Sequence, residues 1–206
     1  PGPVLIDIPK DVTAHLADYQ REQPYPVKRH TKYISEKGLQ EAIELLHSCT
    51  KPLIYAGGGV VYADATGELI KFAELLDAPV ACSLMGLGGF PADHPLFTGM
   101  IGMHGTKTSN LAATQCDLLI ALGARFSDRV VSNVKRFAPN AKILHIDVDP
   151  AEVNKNIQTN HHIIGDVYEV LTRLNAQLTP VSRQDWLGQI VEWKAQYPLS
   201  YAQNGT

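Results

Sequence analysis

Long apolar runs, paired cysteines and an excess of basic residues are all missing from this chain of 206 residues. No apolar stretch approaches the roughly 18 residues that a membrane-spanning helix requires, so that class is excluded. The first residues carry no charged-then-apolar leader pattern. Lys and Arg total 18 against 21 Asp and Glu, a net charge of −3, which leaves out a general nucleic-acid binder. Cys49, Cys82 and Cys116 are odd in number, widely spaced and set in apolar sequence. They suit buried, reduced thiols in a cytoplasmic protein, not a disulfide framework or a CxxC metal site. His161-His162 has no carboxylate or cysteine at ligand spacing, so an edge strand is expected there and no metal site. Asp93 and His94 lie in a loop without a partnered serine, and no hydrolase triad is expected. The GxGxxG dinucleotide fingerprint is absent too.

What is present is a chain with 45% hydrophobic residues, sized for one domain or one domain plus extensions. It begins at Pro1 and ends on Gln203-Asn204-Gly205-Thr206, as a piece of a longer protein would. Three regions are expected: 1–32, the end of a preceding domain plus a linker; 33–177, an α/β domain; and 178–206, a linker and helix leading onward. In the first, Val4-Leu5-Ile6-Asp7-Ile8 reads as a strand closed by Pro9, and the Pro/Tyr-rich stretch around Pro24, Tyr25 and Pro26 reads as linker. In the second, Ser35 suits the cap of a helix with Leu39, Ala42, Ile43 and Leu46 on one face. Residues 52–56, 80–82, 118–122 and 143–148 are short strands, separated by helices with Leu69, Phe72, Ala73 and Leu76 on one face and over about 106–115. Residues 86–105 read as a Gly/Pro-rich connection. Asp149-Pro150-Ala151-Glu152 and Asp166-Val167-Tyr168-Glu169 each have the form of a capping box before a helix. Strands apolar throughout are buried on both faces, so the expected fold is α/β: a doubly wound, mostly parallel, Rossmann-like sheet flanked by helices. In the third region Trp186, Ile190 and Trp193 share a helix face that must dock, on this core or on a neighbouring domain.

In such sheets ligands bind beyond the carboxyl ends of the strands. Those ends carry Gly57-Gly58-Gly59, Ser83-Leu84-Met85-Gly86, Gly123-Ala124-Arg125 and Asp147-Val148. Glycines that open a helix can bring backbone N–H groups to a phosphate. Arg125 and Arg129 could grip a diphosphate through forked donors, and Asp147 could accept ribose hydroxyls. Each has a plainer alternative. The glycines could be a tight turn, Asp147 and Glu152 could be caps, Arg125 and Arg129 flank Asp128 and could form a surface ion pair, and His104 could simply start a helix. The residues by themselves reach an α/β domain with a nucleotide site, and no further.

Longer strings go beyond that. Ser83-Leu84-Met85-Gly86-Leu87-Gly88, Asp93-His94-Pro95-Leu96, Gly99-Met100-Ile101-Gly102-Met103-His104-Gly105-Thr106, Gly123-Ala124-Arg125-Phe126-Ser127-Asp128-Arg129 and His145-Ile146-Asp147-Val148-Asp149 occur in order. Together they resemble the central domain of the acetolactate (acetohydroxyacid) synthase catalytic subunit, a thiamine diphosphate enzyme. The opening Pro1–Asp11 string is similar to the end of that family's pyrimidine-binding domain. The resemblance implies condensation of two pyruvates, or of pyruvate with 2-oxobutyrate, in branched-chain amino-acid synthesis. Thiamine diphosphate and Mg²⁺ would serve the full-length enzyme, and FAD would sit in this domain in a structural role. Flavin contacts are implied at Gly57, Gly58, Gly59, Ser83, Leu84, Met85, Met103, His104, Gly105 and Thr106. The implied set continues with Gly123, Arg125, Arg129, Asp147, Val148, Glu152, Asp166 and Val167. Met103, Asp128 and Arg129 would also border the substrate channel.

The family's catalytic glutamate belongs to its preceding domain and its Gly-Asp-Gly metal motif to its following one. No catalytic residue is therefore expected here, and no carboligase activity of this chain alone. Implied partners are the flanking domains, further copies of the full-length enzyme and a regulatory small subunit. One departure is visible: Ser127 stands where the family usually has the first Asp of Phe-Asp-Asp-Arg. Alternatives are the central domain of a glyoxylate carboligase or pyruvate oxidase, or a spacer domain without nucleotide. A sirtuin-like or transhydrogenase domain lacks the cysteine pairs and glycine fingerprint it would need.

Overall fold

The computed structural model describes residues 3–23, 28–29 and 31–200. Pro1, Gly2, the linker residues Pro24, Tyr25 and Pro26, and the Gln203–Thr206 tail lie outside them. Six parallel strands form one sheet in the order β3-β2-β1-β4-β5-β6. They are β1 (Pro52–Ala56), β2 (Val80–Cys82), β3 (Phe97–Met100), β4 (Leu118–Leu122), β5 (Lys142–Asp147) and β6 (His161–Ile164). The helices are α1 (Lys10–Thr13), α2 (Glu36–Ser48), α3 (Gly58–Tyr62), α4 (Thr66–Leu76), α5 (Lys107–Gln115), α6 (Asp128–Val131), α7 (Val167–Asn175) and α8 (Gln184–Gln196).

Every residue of β1 and β4 is buried, because helices cover both faces of the sheet. Alternation along each strand feeds two separate cores. Ile54, Ala56, Ile120, Leu122, Leu144 and Ile146 pack with α2, α4 and α7. Leu53, Tyr55, Leu119, Ala121 and Ile143 face the other way, against α5 and α8. This is the doubly wound α/β fold expected from the strand–helix alternation.

Helix α2 starts where Ser35 accepts the Gly38 N–H at 3.1 Å, and its buried residues are Leu39, Ala42, Ile43 and Leu46. The first capping box differs from expectation. Asp149 accepts the Ala151 N–H, but only a three-residue 3₁₀ turn follows, and Glu152 pairs with Lys155 at 2.8 Å. Asp166 does cap a full helix, α7. The Val4–Ile8 run is not a strand: it is exposed and pairs with no strand of the sheet. Conversely, β3 forms inside the 86–105 connection, where pairing with β2 stabilises a short segment that contains Gly99. His161 and His162 lie on the edge strand β6, as their pattern suggested.

Helix α8 docks on this domain's own core. Trp186, Ile190 and Trp193 are buried, the two indoles meet edge to face at 5.8 Å, and Trp186 Nε1 donates to Pro52 O at 2.8 Å. All three cysteines are buried and free. Burial pushes the Cys82 thiol up to about 12, and Cys116 likewise, so both stay protonated near neutrality.

Candidate functional site

The strand order reverses direction between β1 and β4, where a doubly wound sheet opens a crevice at its carboxyl end. Gly57–Gly59 and Gly123 meet there. The Gly57 N–H donates to Leu122 O and the Gly59 N–H to Gly123 O, both at 2.9 Å. A Cβ on Gly57 would stand 2.2 Å from Gly123 O, and one on Gly59 2.6 Å from Gly123 Cα. Gly123 itself has φ +53°, a left-handed conformation that glycine adopts without cost. These glycines therefore place backbone against backbone. Helix α3, five residues long, is too short to act as the anion-binding helix that the glycine run suggested.

Ser83 follows β2 and lies beside this junction. Its N–H donates to Ala56 O and its Oγ accepts the Gly86 N–H, which folds Leu84–Gly86 into a 3₁₀ turn. Met85 sits over Gly58, while 63% of its surface remains exposed. Beyond β3, the Met103 N–H donates to Arg129 O at 2.9 Å, so the Met103 loop and the start of α6 touch. Thr106 caps α5, accepting the Ser109 N–H and donating to Thr98 O at 2.7 Å. His104 is exposed and Gly105 half-buried on the same loop. Arg129 and Asp128 approach to 4.0 Å at the surface.

After β4 the chain continues through Ala124, Arg125 and Phe126 without regular structure. Three consecutive carbonyls here each receive a side-chain donor from a different place. His145 Nε2 lies 3.0 Å from Ala124 O, Tyr55 Oη donates to Arg125 O at 3.1 Å, and Asn156 Nδ2 donates to Phe126 O at 2.9 Å. A carbonyl can only accept, so His145 carries its hydrogen on Nε2. Burial pushes the Tyr55 phenol well above its ordinary range, with the Arg125 charge acting in the opposite sense, and Tyr55 remains a neutral donor. The N–H groups of Arg125, Phe126 and Ser127 make no hydrogen bond among the described residues. No carboxylate among those residues pairs with the exposed Arg125 guanidinium.

Asp147 ends β5, 7% exposed, accepting the Asp149 N–H at 2.9 Å, with Oδ2 3.7 Å from His145 Nε2. Val148 next to it is exposed. Asp166 and Val167 stand apart, past β6 at the far edge of the sheet. Asp166 is bound to Arg29 at 3.0 Å and Val167 is buried in the core, so that Val167 could offer a ligand only its backbone.

The carboxyl edge thus combines an uncompensated cation, free N–H donors, a carboxylate one strand over, and exposed Leu84, Met85, Met103 and Val148. Adjacent strands lie about 4.8 Å apart, so the six strand ends span roughly 24 Å, a length suited to an extended, anionic, partly apolar ligand. A flavin dinucleotide has that chemistry, and the donor set fits it. Two cavities lie elsewhere: one of about 660 Å³ beside Lys51 and Trp186 at the amino ends of the strands, and one of about 300 Å³ beside Asn110 and Phe137. Neither contains a candidate residue. The sequence does not single out these three donors: Tyr55 and His145 read as core residues of apolar strands, and Asn156 as one more polar residue of a connection.

Residues 39–174 match the family model described as thiamine pyrophosphate enzyme, central domain. A probable acetolactate synthase large subunit of Methanocaldococcus jannaschii is 46% identical over 203 residues, covering 94% of this chain and 34% of its own. The acetolactate synthase large subunit of Corynebacterium glutamicum is 43% identical, covering 98% of this chain and 33% of its own. Acetolactate synthase isozyme 2 large subunit of Escherichia coli is 39% identical over all of this chain and 36% of its own. The chain spans about a third of the length of these relatives.

Proposed function

The chain belongs to the family of thiamine pyrophosphate enzyme central domains, and from that premise we propose that it is the FAD-binding domain of an acetolactate synthase large subunit. The whole enzyme would join two pyruvates, or pyruvate and 2-oxobutyrate, in branched-chain amino-acid synthesis in the cytoplasm. The relatives' names supply the activity. The observation that carries the flavin assignment is the loop after β4, where, among the described residues, Arg125 has no counter-ion and its N–H and those of Phe126 and Ser127 have no acceptor. Bound FAD would supply structure rather than redox chemistry. Arg125 and the loop N–H groups would hold its diphosphate, Asp147 would accept hydroxyl hydrogens, and the Leu84, Met85 and Met103 side chains would shield its rings. Met103, Asp128 and Arg129 would border the substrate channel.

Thiamine diphosphate and Mg²⁺ would be held by flanking domains, since the Gly-Asp-Gly motif does not occur in this sequence. Carboligase activity then needs those domains, a second copy of the full-length enzyme and, for regulation, a small subunit. A spacer domain without nucleotide is the competing reading, favoured by the way Gly57, Gly59 and Gly123 use their bare faces on one another.

Quenching of flavin fluorescence on titration with this chain separates the two. Saturable binding is expected, with Arg125→Ala and Asp147→Ala each weakening it about tenfold or more, the usual cost of one charge-assisted contact. A folded chain that leaves flavin fluorescence unchanged would favour the spacer reading.

A further inference from the structure

The three side chains anchoring the loop after β4 come from β1, β5 and the segment following the 3₁₀ turn at Pro150–Glu152. Each fixes one peptide plane, and across a planar trans peptide the N–H points opposite to the C=O. Anchoring Ala124 O, Arg125 O and Phe126 O therefore turns the N–H groups of Arg125, Phe126 and Ser127 away from their anchors. Those three N–H groups find no acceptor among the described residues, and neither does that of Ala124 before them. Tyr55 and His145 are 1% and 0% exposed, so neither hydroxyl nor imidazole can meet a ligand directly. The Phe126 ring is clamped between them, 6.0 Å from the Tyr55 ring and 5.2 Å edge to face from His145. A loop held at every carbonyl and by its one buried ring has little freedom left, yet it leaves its donors and one guanidinium unspent.

We propose that Tyr55, His145 and Asn156 are positioning residues that preorganise the Ala124–Phe126 loop to receive the diphosphate of a flavin dinucleotide through Arg125. The inference rests on the flavin reading above and adds the residues that make the site rigid before the ligand arrives. Rigidity of this kind raises affinity by removing ordering cost at the moment of binding.

Tyr55→Phe removes one oxygen and keeps the packed ring, and Asn156→Ala acts at the rim of the loop, so at least one variant folds normally. Each is compared with the parent chain, and again in an Arg125→Ala background, by FAD titration and by urea unfolding. The expected result is FAD affinity lowered about five- to tenfold by Tyr55→Phe and by Asn156→Ala. That loss should shrink without vanishing once Arg125 is gone, because the anchors aim the loop N–H groups as well as its guanidinium. Affinity unchanged in both variants, or losses that persist in full without Arg125, would overturn the positioning role while leaving the flavin reading intact. Failure of the parent chain to bind FAD would overturn both, and it would be seen before any variant is made.

Discussion

A single methyl group at residue 123 would strike the Gly59 Cα at 2.5 Å, and the backbone there is already left-handed. Neither partner can yield, since Gly59 at the start of α3 and Gly123 just past β4 are pinned by the Gly59 N–H to Gly123 O bond. Gly123→Ala should therefore cost roughly 2–4 kcal/mol, a left-handed backbone penalty plus overpacking against rigid backbone. Urea denaturation with an unchanged slope would measure it, and a loss below about 0.5 kcal/mol would contradict the close approach. At this scale the sequence was partly legible. The glycine clusters announce a crowded strand-end junction, but not whether the crowding is with a ligand or with the chain itself. Tyr55 and His145 were illegible, because their partners lie 70 and 21 positions away and nothing local distinguishes an anchoring donor from a core aromatic.

Among the elements, those with a strong period were readable and those defined by pairing were not. Helix α2 declares itself through its cap and its apolar face, and β4 through five consecutive apolar residues. Strand β3 has no such signature: Phe97-Thr98-Gly99-Met100 becomes a strand by bonding to β2, across a bulge at Val80/Ala81. The Val4–Ile8 run shows the converse, apolar sequence that stays exposed and unpaired. Helix α8 was foreseen as needing a dock, and its tryptophans settle on the α5 side of the sheet. Trp186→Ala would leave a cavity against Trp193 and deprive Pro52 O of its donor. A loss of about 3–5 kcal/mol is expected from thermal or denaturant unfolding. A loss under 1 kcal/mol would mean that α8 is not part of this fold.

At the largest scale the described residues build a doubly wound sheet whose candidate site residues lie mainly at its carboxyl end. Among the described residues no helix is long and apolar enough to cross a membrane, and no group of His, Cys, Asp or Glu is placed to hold a metal ion. Its relatives are about three times longer. The contribution proposed for this domain is a preorganised ledge: a cation, loop N–H donors and a carboxylate set at adjacent strand ends. Amide hydrogen exchange with and without FAD tests that claim where it is made. Slowed exchange confined to residues 83–86, 102–106, 123–128 and 147–149 is the predicted result. Protection absent there, or centred instead on the cavity beside Lys51 and Trp186, would contradict it.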